Sequence, residues 1–260
     1  MEGEWDRSAN PDIPPGPVPP SGCLPKSLHS ADAELNARYA QRNHLAVRAS
    51  AAAALLPTEL EIDENPKISV MFLSYGFTSV GPFREYIHII HARFRGEEVG
   101  FVPHIFISNE RGMLAGRERE GYPKLLGDIE FDMNQPNAHG LITARLSRPA
   151  GIVLAQGLFR PSEFLGEITE EKPTVVKTLG LRVVGSAVPG GPLSVCEFVP
   201  SALEFIGGEI WSGEGSLLFT GASEFSALHR LPIVGNVEAT TFYNSSFRLR
   251  RPTETYPFSA

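Results

Sequence analysis

Lys124 closes the run Gly116-Arg117-Glu118-Arg119-Glu120-Gly121-Tyr122-Pro123-Lys124, just downstream of the apolar stretch from Phe101 to Leu114. That stretch predicts a strand leading to the lysine, and the proline before it, with its own φ fixed, limits how the lysine approaches whatever it faces. A lysine is ordinarily exposed. In dry surroundings its ammonium loses hydration and its pKa falls. The neutral amine can then add to a ketone and, with loss of water, form an imine. The same run offers further groups. Glu120, four residues before Lys124, is a candidate acid or base, and Tyr122 is a candidate pocket wall. Arg117 and Glu118 are candidates either for pairing that shapes the turn or for contact with a substrate. The alternative for Lys124 itself is a solvated side chain in a turn.

The elements that would hold such a site are mostly strands. Runs of β-branched and aromatic residues predict strands over 68–75, 85–94, 101–108, 141–146, 152–159, 175–184, 193–199, 203–210, 216–220 and 240–249. Ser147-Arg148-Pro149-Ala150-Gly151 predicts a hairpin between two of them. Ser50 is a candidate cap for a short helix ending before Pro57, and a second helix is predicted around 223–228. Gly190-Gly191 and Gly207-Gly208 lack the strand-to-helix setting of a phosphate loop and predict turns. The fold class is therefore mainly β (α+β), with mostly antiparallel sheet. Residues 1–26 hold Pro11, Pro14, Pro15, Pro17, Pro19, Pro20 and Pro25 and predict a disordered, proline-rich tail. Residues 27–260 form the predicted domain.

Composition excludes several classes. The net charge of -7, with no block of lysine and arginine, gives no electrostatic footprint for nucleic acid. No stretch approaches the 18 or so apolar residues of a membrane helix. The N-terminus is polar and acidic, without an apolar signal core. Cys23 and Cys196 make neither a disulfide framework nor a zinc spacing, so a reducing, cytoplasmic setting is predicted. His88 and His91 stand at i and i+3 of a predicted strand and so face opposite sides, which argues against a metal pair. No metal and no cofactor are predicted.

The Gly-Arg-Glu of residues 116–118 followed by Tyr122-Pro123-Lys124 resembles the active-site segment of the acetoacetate decarboxylase family. Leu56-Pro57 with Leu60-Glu61-Ile62-Asp63 upstream, and Cys196-Glu197, Glu209-Ile210-Trp211-Ser212-Gly213 and Leu231-Pro232-Ile233-Val234 downstream, follow in the family's order across about residues 35–252. Each piece is weak alone; their order and spacing together are specific. The resemblance implies one domain whose curved antiparallel sheets form a cone or barrel around a central pocket, and large homo-oligomers. It implies that Lys124 forms the Schiff base. The family is the standard example of an activated amine nucleophile, so that activation belongs to the family and is not read from this chain. It implies that Glu85, 39 residues before Lys124, is a pocket carboxylate that handles a proton. It also implies an N-terminal arginine at the substrate, for which Arg38, Arg42 and Arg48 are all candidates; Tyr243 is a further pocket candidate.

Two departures matter. Leu125 stands where well-known members carry a second lysine, and an ungapped count places Val70 where they carry a second acid. Both suggest a more apolar pocket and a β-keto acid larger than acetoacetate, for example from a polyketide or other secondary pathway. The leading expectation is a carboxy-lyase that releases carbon dioxide and a ketone from a small-molecule keto acid. The alternatives are a Schiff-base aldolase-dehydratase acting on pyruvate and an aldehyde, or a ligand-binding homologue without turnover.

Overall fold

The computed structural model describes residues 33–132, 141–221, 233–250 and 252–258, with backbone alone for 33–43, 45, 233 and 235–244. Chain order is β1 (Ala33–Val47), α1 (Ala49–Ala53), β2 (Lys67–Phe77), β3 (Phe83–Phe94), β4 (Glu97–Ile107), α2 (Glu110–Arg119), β5 (Lys124–Leu126), β6 (Asp128–Asp132), β7 (Ile142–Ser147), β8 (Val153–Ile168), β9 (Thr174–Val184), β10 (Val195–Phe219), β11 (Ile233–Arg250) and β12 (Tyr256–Pro257). The described strands make one mixed sheet in the order β11-β1-β2-β3-β4-β9-β10-β8-β7-β6, with β12 on β10 and β5 on β4. β11 pairs β10 as well as β1, so that path returns to β11; the sheet as a whole stays open and ends at β6. Most pairs are antiparallel, but β4 pairs both β5 and β9 in parallel.

Alternation along β2, β3 and β4 splits the core in two. Ile68, Val70, Phe72, Tyr86, Ile90 and Phe106 pack against Ile129 and Phe131 of β6, Leu146 of β7 and Phe159 of β8. The intervening residues Met71, Leu73, Tyr75, Ile87, Ile89, Ile105 and Ile107 turn the other way, toward Val176, Phe205 and Phe247. This is the period-2 rule of a strand with apolar surroundings on both faces.

Several expectations need correction. β1 was hidden in a polar, alanine-rich segment; it exists because β2 and β11 pair its two edges. The segments 193–199, 203–210 and 216–220 are one strand, β10, whose partner on one edge changes from β9 to β8. Gly207-Gly208 is not a turn but sits inside β10 at a register shift, with Gly208 at φ 126°. Gly190-Gly191 does lie in the connection between β9 and β10. Ser50 lies within α1, whose N-cap is Arg48 without a side-chain cap bond. The helix expected at 223–228, the 1–26 tail and Cys23 fall outside the described residues. Among the described residues no helix is long and apolar enough to cross a membrane.

Candidate active site

Lys124 is delivered by a helix and a tight turn, not by the end of a long strand. Asn109 caps α2, its side chain accepting from the Gly112 amide at 3.0 Å. Gly112 and Gly116 make that helix a weak former in sequence, yet they are what lets it pack. A Cβ on Gly116 would lie 2.3 Å from Lys124 Cε, so any larger residue there would push the lysine side chain out of its present position. After the helix, Gly121 adopts φ +69°, the Tyr122 amide donates to Gly116 O at 3.1 Å, and Lys124 opens β5. Register then aims the side chains. Lys124 pairs with Ile105 and Leu125 with Phe106, so Lys124 faces the Phe247 side of the core and Leu125 packs with the other cluster.

Glu85 reaches the same place from β3. It is 3 % exposed and Lys124 9 %. Lys124 Nζ donates to Glu85 Oε1 at 2.6 Å, and Tyr75 Oη donates to Glu85 Oε2 at 2.6 Å. Burial first, and Glu85 second, push the Tyr75 phenol well above its ordinary pKa, so it remains a donor. Breaking a buried ion pair at one end leaves an uncompensated charge, at a cost of about 3–5 kcal/mol.

Glu120, the C-cap of α2, is buried as well. Burial raises its pKa, opposed by the charges of Arg119 and Lys124; Arg119 Nε lies 3.6 Å from Glu120 Oε1. Tyr122 is buried with its ring centroid 6.0 Å from Lys124 Nζ, and its hydroxyl is 2.7 Å from Thr178 Oγ1. Arg117 is exposed and donates to the Lys124 carbonyl at 3.1 Å, so its guanidinium holds the backbone of the turn. The Glu118 side chain is exposed, and its carbonyl accepts from Arg182 at 3.1 Å. The structure thus brings Lys124, Glu85, Glu120 and Tyr122 together and keeps the charges of Arg117 and Glu118 at the rim of the turn.

Other candidates are placed differently. Val70 faces the cluster with β6 and β8, away from Lys124, as does Leu125. Neither lines the lysine's surroundings, which removes the ground for inferring a larger substrate. Val70 faces away because successive strand residues alternate faces, whereas Tyr75 lies on the Glu85 face of β2. Its signal lay only in the β2–β3 register. Arg48 is exposed, and the side chains of Arg38, Arg42 and Tyr243 lie outside the described residues. His88 stacks on Phe219 at 6.1 Å, whereas His91 Nε2 bonds Ser69 Oγ at 2.7 Å, so the two histidines share no site. Among the described residues no three His, Cys, Asp or Glu side chains assemble as a metal site.

Comparison with known proteins agrees with this arrangement of strands. Residues 25–256 match the family model described as acetoacetate decarboxylase (ADC). The chain is 34 % identical over 203 residues to Decarboxylase DEC1 of Cochliobolus heterostrophus, covering 78 % of this chain and 79 % of that protein. It superposes on acetoacetate decarboxylase from Legionella pneumophila with a TM-score of 0.70, at 18 % identity and 88 % coverage of each chain. It superposes on the enduracididine biosynthesis enzyme MppR, bound to the condensation product of pyruvate and imidazole 4-carboxaldehyde, with a TM-score of 0.69, at 17 % identity and 92 % coverage of each. At those identities the two structures speak for the fold, while the match to the family model over nearly the whole chain carries the assignment: this protein belongs to the acetoacetate decarboxylase family.

Proposed function

We propose that the protein decarboxylates a β-keto acid through a Schiff base on Lys124. The observation that carries this reading is the 2.6 Å contact between Lys124 Nζ and Glu85 Oε1 in a buried setting. Imine formation requires a neutral amine, and Glu85 is within reach to take the ammonium proton. Nζ then attacks the ketone carbon, and the carbinolamine hydroxyl leaves as water with a returned proton. The iminium withdraws the electron pair of the bond to the carboxylate. Carbon dioxide departs and an enamine remains. Protonation at carbon regenerates an iminium, which water hydrolyses to the ketone and free Lys124. Glu120, whose neutral form burial favours, is suited to supply that proton. Tyr122 walls the amine, which limits water around it.

The named activity of Decarboxylase DEC1, a relative at 34 % identity, supports decarboxylation. A second reading has one observation in its favour. Glu120 as a buried acid beside the same amine also suits dehydration of an aldol formed from a pyruvate imine, and MppR shares the fold. Reduction with borohydride in the presence of a β-keto acid, followed by peptide mapping, tests both. A label on Lys124 is expected, and an unlabelled Lys124 sinks both readings. Carbon dioxide from the keto acid, with no condensation product from pyruvate and an aldehyde, selects the first.

A further inference from the structure

We propose that Tyr75 is a positioning residue of this site, its phenol holding Glu85 so that one carboxylate oxygen stays turned to Lys124 throughout the imine cycle. The inference rests on the reading of Lys124 as the imine-forming lysine and concerns what controls its base. In the β2–β3 pair Glu85 stands opposite Leu73, and Tyr75 stands opposite Phe83, one diagonal step away on the same face. A side chain as long as tyrosine spans that diagonal. The ring has little freedom. It stacks on Phe83 at 4.1 Å between centroids and meets the edge of Phe247 at 5.3 Å. From this fixed ring the hydroxyl donates to Oε2 at 2.6 Å, while Oε1 accepts from Lys124 at 2.6 Å.

The division of the two oxygens has a consequence for the proton. A glutamate carboxylate rotates broadly about its last torsion when nothing fixes it. With Oε2 engaged by a donor that keeps its own proton, the proton taken from Lys124 settles on Oε1. There it faces the nitrogen, and it can return to the carbinolamine hydroxyl as that group leaves. Among the described residues the titratable groups around Glu85 are Tyr75 from β2, Lys124 from β5, and Glu120 and Tyr122 from the turn between α2 and β5. Among them Tyr75 and Lys124 hydrogen-bond to its carboxylate.

The test uses the full chain labelled with carbon-13 at glutamate side-chain carboxyls, with Glu85 assigned through Glu85→Gln. Tyr75→Phe removes the donor and keeps the ring. A lost bond to a charged carboxylate favours its protonated form. The Glu85 carboxyl signal is therefore expected to protonate at a higher pH than in wild type. The acid limb of the rate of borohydride trapping with a β-keto acid is expected to move up with it. Tyr75→3-fluorotyrosine, with a more acidic phenol and almost unchanged bulk, is expected to move both downward, which keeps the test open should Tyr75→Phe fold poorly. In the Glu85→Gln background Tyr75→Phe should have no further effect on trapping. Titrations and limbs that superimpose on wild type overturn the role of Tyr75 while the Lys124 reading stands. Wild-type protein left unlabelled at Lys124 overturns the reading itself, and with it this role.

Discussion

The strands β2, β3 and β4 present buried polar groups on both faces, and the two faces treat them in opposite ways. On the side of Lys124, Glu85 accepts from Lys124 and Tyr75, and Tyr122 is bonded to Thr178. On the side packed against β6, β7 and β8, the Tyr86 hydroxyl and both ring nitrogens of His88 are buried without a hydrogen-bond partner among the described residues. An unsatisfied buried polar group costs about 1–3 kcal/mol. The first face joins Lys124, Glu85 and Tyr75 in one hydrogen-bonded group, and the second carries its polar atoms beside Phe219 and His104. Connection, more than burial, marks the face where chemistry is expected.

The sharpest way to break the comparison is Lys124→Ala. Turnover and borohydride trapping should be abolished, and the unpaired Glu85 should cost about 3–5 kcal/mol in urea unfolding. Retained turnover would refute the role of the lysine. Glu85→Gln should slow trapping by ~10²–10⁴-fold, the usual range for a general base. A trapping rate within twofold of wild type would show that another group takes the proton.

The other face should respond through stability alone. Burial lowers the His104 pKa from 6.5 to about 4, and the His88 pKa falls well below 6.5 for the same reason, with His104 adding to the effect. The unfolded chain therefore binds protons that the folded chain refuses. Stability contributed by neutral His104 is present above pH 6.5 and is lost as pH falls toward 4. That loss amounts to roughly 3 kcal/mol. His88→Leu should shrink the acid loss and, by removing an unpaired imidazole, raise stability at pH 7 by about 1 kcal/mol. Trapping at Lys124 should be unchanged, and a large drop would mean the two faces are coupled.

On stability, Glu120 should give the smallest effect and the opposite sign. Its raised pKa means that stability from the neutral carboxyl is fully present below pH 4.5 and is lost as pH rises through the higher folded value. Glu120→Gln should flatten that part of the profile in urea melts at pH 5 and pH 8. An unaltered slope would place the titration elsewhere.

Much of this arrangement can be read along the chain and some of it cannot. The apolar runs of β2, β3 and β4 are visible because strands buried on both faces are rich in β-branched and aromatic residues. The helix α2 is invisible for the opposite reason: Gly112 and Gly116 depress its propensity, and their close approach to Ile107 and Lys124 is a packing effect that propensity does not report. Glu85 came from spacing and family resemblance, Tyr75 from neither.

The sequence by itself determined residue types and their order: an amine behind a proline, an acid far upstream, and enough apolar surface to keep both from water. Which face each side chain took was decided by register and packing, because moving a strand by one position exchanges its two faces. That is why Val70 and Leu125 ended in the core cluster that holds Phe159, while Tyr75 ended with its hydroxyl on Glu85.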